Sequence, residues 1–106
     1  SVISGVTVIG IKNIKSGMPE GYRLYQNYPN PFNPVTKIMF EIPKLSSVKI
    51  SIFDIKGRLI ETIANQTFNQ GGYEVKWDAG RFSSGVYFCK LESNEFSKEM
   101  KMLFIK

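Results

Sequence analysis

The stretch VKISIFDIKG, Val48–Gly57, decides the fold. In it Val48, Ile50 and Ile52 alternate with polar residues, which is the period-two pattern of a strand that buries one face. Asp54–Gly57 follows as a hairpin turn, whose glycine is free to take a positive φ. The stretch therefore predicts a strand that turns back into an antiparallel partner.

The same alternation recurs on both sides of this stretch. The apolar parity is occupied by Ile38, Phe40 and Ile42 upstream, by Tyr73, Val75 and Trp77 downstream, and by Phe96, Met100, Met102 and Phe104 near the end. Arg58–Asn65 also has helical spacing, but a tight turn before it favours a returning strand. Turn signals roughly 8–12 residues apart predict an all-β, immunoglobulin-like antiparallel β-sandwich of about seven strands. Tyr22–Tyr25 or the N-terminal stretch would supply the seventh.

Two segments depart from simple alternation. Val86–Leu91 is apolar on both parities, which is typical of a strand in the middle of a sheet. Asn27–Pro34 contains three prolines, which exclude a helix and leave few backbone donors for a sheet. We expect it to be a stiff connector whose Phe32 plugs one end of the core. A proline-rich docking ligand is the alternative interpretation.

The beginning of the chain is assigned separately from the sandwich. Lys12–Gly21 is polar and carries Gly17 and Pro19, so the junction is placed there. Residues 1–18 are predicted to be a linker or the tail of a preceding module, and residues 19–106 the sandwich domain. No signal-peptide pattern follows Ser1, so any export signal is expected upstream of this segment, in a larger secreted protein.

Composition argues against several function classes. Fourteen basic residues, eleven of them lysines scattered singly, oppose nine acidic ones among 106 residues, for a net charge of +5. Nucleic-acid binders more often cluster basic residues with arginine, so no nucleic-acid partner is expected. Without histidine, the single Cys89 lacks a base that would activate it, and burial in a strand is its favoured interpretation.

No residue pattern indicates a catalytic, cofactor or metal site. Asp54 and Asp78 stand where aspartate caps local backbone amides, and no loop gathers the oxygen ligands of a calcium site. Asn65–Thr67 matches the glycosylation triplet, a short pattern that recurs by chance. Trp77 is either a core residue or a sugar-stacking platform, and its register with its strand neighbours favours the core.

The motifs and their order carry a family resemblance. They are Leu24–Pro34 (LYQNYPNPFNP), Thr36–Ile38, Pro43, Val48 with Phe53–Asp54, Gly57–Arg58, Gly72–Tyr73, Trp77–Asp78, Ser84–Phe88 and Lys101–Lys106. Together they resemble the type A C-terminal sorting domains of the bacterial type IX secretion system, which are related to the flagellar hook-capping immunoglobulin-like domain. The resemblance runs from about Pro19 to Lys106. Cys89 and the short Ala79–Arg81 loop depart from the family pattern.

The resemblance implies a function. Such domains are immunoglobulin-like sandwiches at the end of secreted enzymes and adhesins, and they are not enzymes. The outer-membrane type IX translocon and its shuttle protein read them as an address rather than an anchor, and a sortase-like peptidase often removes them. The parent protein would pass through the periplasm and be secreted or attached to the cell surface, with its N-terminal cargo domain on the same chain.

The resemblance also assigns recognition residues. They are Gly85, Val86 and Tyr87 in one signature stretch, and Lys101, Met102, Ile105 and Lys106 in the terminal one. If Phe96–Ile105 lies at a sheet edge, we expect the receptor to pair with its backbone by strand addition, with Lys101 and Lys106 setting the register. The alternative function is a non-catalytic carbohydrate-binding or spacer module of a secreted enzyme.

Overall fold

A computed structural model describes residues 11–15 and 19–106 of the chain, the first range through its backbone only. The described residues form eight strands and no helix: β1 (Ile11–Lys15), β2 (Arg23–Leu24), β3 (Val35–Ile42), β4 (Ser46–Asp54), β5 (Leu59–Phe68), β6 (Gly71–Asp78), β7 (Gly85–Ser93) and β8 (Phe96–Phe104). They make two four-stranded sheets with the orders β1-β6-β3-β2 and β5-β4-β7-β8. All pairs are antiparallel, which confirms the predicted all-β sandwich.

The alternating residues form the core between the two sheets. The largest fully buried side chains come from both layers: Trp77, Phe40, Phe104, Ile38, Ile42, Ile50, Ile52, Ile63, Leu91, Met102, Val48 and Val75. Because each strand turns alternate side chains to opposite faces, the period-two pattern selected ten of these twelve residues, all except Ile63 and Leu91. Burying this apolar surface is the main force that holds the sheets together.

The turn after β4 has the predicted chemistry. Gly57 has a φ of +82°, and Asp54 Oδ1 accepts hydrogen bonds from the backbone N–H groups of Lys56 and Arg58, both at 2.9 Å. The backbone hydrogen bond from Arg58 holds the pKa of the Asp54 carboxyl below its ordinary value. This turn returns the chain as β5, so the strand prediction for Arg58–Asn65 is confirmed and the helical alternative is wrong.

The strand predicted to be central is central. β7 lies between β4 and β8, and its inward residues Tyr87, Cys89 and Leu91 are buried. β8 is the last strand of its sheet, as the sequence hypothesis required. The position of β7 explains why its sequence is apolar on both parities, since a strand flanked on both sides is the least exposed to water.

Of the two candidates for the additional strand, Tyr22–Tyr25 contributes one, and a further strand lies almost wholly in the stretch predicted to be the polar junction. Within Tyr22–Tyr25, β2 pairs with β3, and Ile11–Lys15 pairs with Gly72–Val75 of β6 at the opposite edge of the sheet. Residues 1–10, which make up most of the N-terminal stretch offered as the other candidate, lie outside the described residues. The boundary between residues 18 and 19 stays a prediction.

Phe32 plugs the core as expected. It is 2% exposed, and its ring lies 5.2 Å from the Phe104 ring and 5.7 Å from the Trp77 ring. The rest of the Asn27–Pro34 segment crosses from the β2 side of the sandwich to the end of β8. Its position at that edge shapes the candidate site described below.

Across the described ranges, there is no helix of the length and hydropathy needed to span a membrane.

Candidate functional site

The two predicted recognition stretches lie side by side. β7 pairs with β8 so that Gly85 is opposite Phe104, Val86 opposite Leu103, and Tyr87 opposite Met102. Ile105 and Lys106 continue beyond β8, and the Lys106 N–H donates to Ser84 Oγ at 2.8 Å. Residues separated by about fifteen positions in the sequence therefore form one continuous corner of the sandwich.

Two of the seven residues point into the core. Met102 is fully buried, and Tyr87 is 7% exposed with its ring 5.6 Å from that of Trp77. The Tyr87 hydroxyl donates to the Ser83 carbonyl, and burial raises the pKa of this phenol. These side chains are placed to hold the corner in shape, whereas contact with a partner would have to come from their neighbours.

Gly85 has a backbone role. Its φ is +153°, a conformation that residues with a side chain rarely adopt, although a Cβ there would meet no atom within 4 Å. The glycine is therefore needed for conformation rather than for space. It lets the chain leave the loop after Arg81 and enter β7 in register with the end of β8.

The remaining predicted residues lie at the surface. Lys101 and Lys106 are exposed, Ile105 is 50% exposed, and Val86 is half-buried on the outer face of the sheet. Lys101 lies opposite Phe88 in the β7–β8 ladder. A partner approaching this corner would therefore meet two cationic side chains and two aliphatic ones.

An apolar row continues this surface across the outer face of the sheet. It comprises Leu59, Phe53 and Phe88, which lie opposite one another on β5, β4 and β7, with Lys101 next on β8. We call these four residues the outer row. Phe53 and Phe88 are half-buried and Leu59 is 53% exposed. Aromatic residues on a solvent-facing sheet surface are typical of an interaction site. Sequence reasoning missed the outer row, because alternation does not say which apolar neighbours share a face.

The proline-rich segment covers part of the β8 edge. We call Gln26–Phe32 the clasp. The Leu103 N–H donates to Asn30 Oδ1 at 3.0 Å, the Phe32 N–H donates to the Leu103 carbonyl at 3.0 Å, and the Ile105 N–H donates to the Phe32 carbonyl at 3.0 Å. Gln26 Nε2 adds a donated bond of 2.7 Å to the Lys101 carbonyl. The clasp thus occupies the outward backbone groups at the C-terminal end of β8.

A buried side chain holds the clasp in place. Asn27 is 2% exposed, and its Nδ2 donates to Thr36 Oγ1 at 2.9 Å and to the Pro29 carbonyl at 3.1 Å. Thr36 Oγ1 donates to the same carbonyl at 2.9 Å. The bond from Asn27 to the Pro29 carbonyl is the local side-chain-to-backbone contact that asparagine commonly makes in turns. The sequence did not indicate that Asn30 would bond to a residue 73 positions away.

The residues considered as candidates for catalysis or metal binding have structural roles instead. Cys89 is fully buried, and burial raises the pKa of its thiol to about 12, so it is protonated at neutral pH. Asp78 Oδ1 accepts the Gly80 N–H at 2.8 Å, which confirms its capping role. Among the side chains that the structure describes, no three His, Cys, Asp or Glu residues are grouped as metal ligands.

The sugar-platform interpretation of Trp77 is wrong. Its side chain is fully buried and its Nε1–H donates to Glu61 Oε1 at 2.9 Å. Tyr73, which lies on the same strand, is 8% exposed and its hydroxyl donates to the Asn69 carbonyl. Neither ring presents a face on which a sugar could stack.

Comparison with known proteins gives one match. A family model described as a secretion system C-terminal sorting domain matches residues 26–106, well over half of the chain. Comparisons with curated proteins and with solved structures found no significant similarity.

Proposed function

The chain belongs to the type IX secretion C-terminal sorting domain family, whose members mark proteins for export, and on that premise we propose that its β7–β8 corner is the address that the secretion machinery reads. The partners would be the outer-membrane translocon with its shuttle protein, and a sortase-like peptidase that attaches the cargo to the cell surface. The cargo would be an N-terminal region of the same protein. The domain itself carries out no reaction in this proposal.

One observation carries the proposal. Gly85–Tyr87 and Lys101–Lys106 lie on consecutive paired strands, and they meet at a single corner that ends the family match. Within that corner Val86, Lys101, Ile105 and Lys106 are accessible at least in part. The division into buried and accessible members is what a folded address requires, because only the accessible side chains can contact a receptor.

The accessible residues adjoin the outer row. Val86 lies opposite Leu103 on the outer face of the sheet. Lys101, which belongs to the outer row, lies two positions before Leu103 on β8 and opposite Phe88. An apolar strip with lysines at its edge suits a protein surface that offers apolar and acidic groups. We expect apolar contact to supply most of the binding energy, with Lys101 and Lys106 setting orientation.

The export of a reporter tests this function. A fluorescent protein is fused ahead of the 106-residue chain and expressed in a bacterium that has a type IX system. We expect the reporter outside the cell, and its loss when the translocon is deleted. A folded fusion retained in the periplasm would contradict the proposal and favour a spacer module.

Point variants locate the address more sharply than truncation. Deleting the last five residues would also remove Met102 and Phe104, which are buried in the core, and would unfold the domain. The Lys101→Ala, Lys106→Ala double variant keeps the core and should lower export. The matched control is Lys37→Ala with Lys56→Ala, which removes two exposed lysines elsewhere. Equal export by both double variants would exclude the two terminal lysines from recognition.

A further inference from the structure

The outer edge of β8 is divided into two parts. The outward bonds made by Lys101, Leu103 and Ile105 show that odd-numbered residues direct their backbone groups away from β7. In an antiparallel strand, the backbone N–H and C=O groups of successive residues point alternately towards and away from the partner strand. Ser97 and Glu99 therefore direct their backbone groups away from β7 as well. The clasp supplies hydrogen-bond partners for the Lys101 carbonyl, for the Leu103 N–H and carbonyl, and for the Ile105 N–H. Among the described residues, no hydrogen bond reaches the outward backbone groups of Ser97 and Glu99.

A groove lies beside this open part of the edge. It has a volume of about 380 Å³ and is lined by Gly21, Tyr22, Arg23, Leu24, Tyr25, Phe96 and Lys98. It separates β2, the edge of one sheet, from β8, the edge of the other. The Tyr22 and Phe96 rings stack at 5.2 Å, which gives the groove an aromatic lining. Two of its lining side chains, Arg23 and Lys98, are exposed cations, and Arg23 Nε lies 3.7 Å from Glu41 Oε1.

We propose that Ser97–Glu99 is the docking edge for an extended segment of a partner protein that carries an acidic side chain. The segment's backbone pairs with the outward N–H and C=O groups of Ser97 and Glu99, and its inward side chain enters the groove beside Arg23 and Lys98. Only an extended chain offers donors and acceptors at the spacing of a strand edge. Because Arg23 already faces Glu41, the charge of Lys98 is what favours an acidic side chain.

The clasp determines where such a segment ends. An added strand that ran past Lys101 would compete with Gln26, Asn30 and Phe32 for the same backbone groups. The hypothesis of strand addition along the whole of Phe96–Ile105 is therefore narrowed to the part before the clasp. The clasp leaves room for a short strand and gives it a single register.

A second copy of this chain is a poor occupant of this edge. Antiparallel pairing of two β8 edges about Lys98 would place this lysine opposite its own copy, and pairing about Glu99 would oppose two glutamates. Like charges directly opposite each other destabilise a strand pair. A segment with an acidic residue facing Lys98 removes that repulsion, which favours a different protein as the partner.

The inference rests on the proposed export function, and the same reporter tests it. In the full-chain fusion, Glu99→Pro removes an outward N–H while leaving the β7 ladder bonds of Lys98 and Met100. Lys98→Glu reverses one charge of the groove, and Lys37→Glu is the matched control on the other sheet. Thermal melting of each purified chain shows which variants are folded.

We expect export to fall about tenfold for Glu99→Pro and for Lys98→Glu, the effect of losing roughly one well-made polar contact, and to stay unchanged for Lys37→Glu. Should Glu99→Pro fail to fold, Lys98→Glu decides. Wild-type export by a folded Glu99→Pro or by Lys98→Glu would overturn the docking edge while leaving the sorting function intact. Retention of the unmodified fusion would overturn both. A concentration-dependent dimer that Glu99→Pro abolishes would identify a second copy as the occupant and refute the proposal.

Discussion

At the scale of single residues, Cys89 shows how position determines chemistry. The thiol is enclosed by β4 and β8 neighbours, Ile52 and Met100 lying directly opposite it in the two ladders. In this apolar surrounding the thiolate has no stabilising partner, and the pKa of the thiol rises from its ordinary 9.0 to about 12. The residue acts as a small core side chain rather than as a nucleophile.

This shift predicts an alkaline loss of stability. The folded pKa is the higher one, so the stabilising contribution is complete below pH 9 and is lost as the pH rises from 9 towards 12. The full loss is on the order of 4 kcal/mol, since each pKa unit corresponds to about 1.4 kcal/mol. Urea unfolding between pH 8 and pH 11 measures the part of this loss that falls within that range.

The Cys89→Ala variant is the control for that measurement. It retains every lysine and tyrosine that titrates in the same range, so it should show a shallower decrease of unfolding free energy with pH than the wild type. If the two curves have the same slope, the buried thiol does not contribute as described.

At the scale of elements, the clasp decides how β8 meets solvent. Exposed strand edges invite pairing with other chains, and proteins protect them with prolines, charges or covering segments. Here a proline-rich segment covers the edge from Lys101 onward, through Gln26, Asn30 and Phe32. Lys98 leaves a charge on the open part. The first part of β8 is therefore open to pairing with another chain, whereas the part from Lys101 onward is covered.

Removing one bond of the clasp should loosen the edge locally. Asn30→Ala deletes the acceptor of the Leu103 N–H, a bond worth about 1 kcal/mol, so we expect the Leu103 amide to exchange about five- to tenfold faster with solvent. Hydrogen exchange followed by NMR measures this amide. Asn33→Ala is the control: it alters an exposed asparagine of the same proline-rich segment and should leave the exchange rate of the Leu103 amide unchanged. Equal protection in both variants would mean that the Asn30 side chain does not hold the edge.

At the scale of the whole molecule, a polar bridge joins the two sheets. Trp77 of β6 donates to Glu61 of β5, and Arg81 lies 3.4 Å from the other Glu61 oxygen. The Glu61 side chain is 4% exposed, so water cannot replace it readily. Because β5 and β6 belong to different sheets, this bridge fixes how the layers face each other.

Glu61→Ala should therefore destabilise the entire sandwich. The change leaves the Trp77 N–H buried without its acceptor and removes packed atoms, which together cost about 2–4 kcal/mol of unfolding free energy. Equilibrium urea unfolding gives the value. The comparison variant is Glu92→Ala, whose partner Lys90 lies 3.8 Å away on a more exposed surface, and which should change stability by about 0.5 kcal/mol or less. Equal losses in the two variants would show that the bridge adds nothing beyond a surface ion pair.

The sequence by itself determined the strands and the fold class. Period-two alternation identified the buried faces of β3, β4 and β6, and the aspartate–glycine turn after β4 predicted the return of β5. These signals are readable because each depends on residues within a few positions of one another. The same locality made the family resemblance visible, since its motifs are strand and turn segments in a set order.

Tertiary structure alone decided which surface a partner can reach. Local pattern put Met102 on the buried parity and Lys101 on the other, but it did not separate Val86 from Tyr87 in a strand that is apolar on both parities. It also did not gather the outer row from four different strands. It also gives no sign that Asn30 would close the edge of a strand 73 residues later. Sheet order and edge coverage are set by contacts between distant residues, and such contacts leave no local periodicity in the chain.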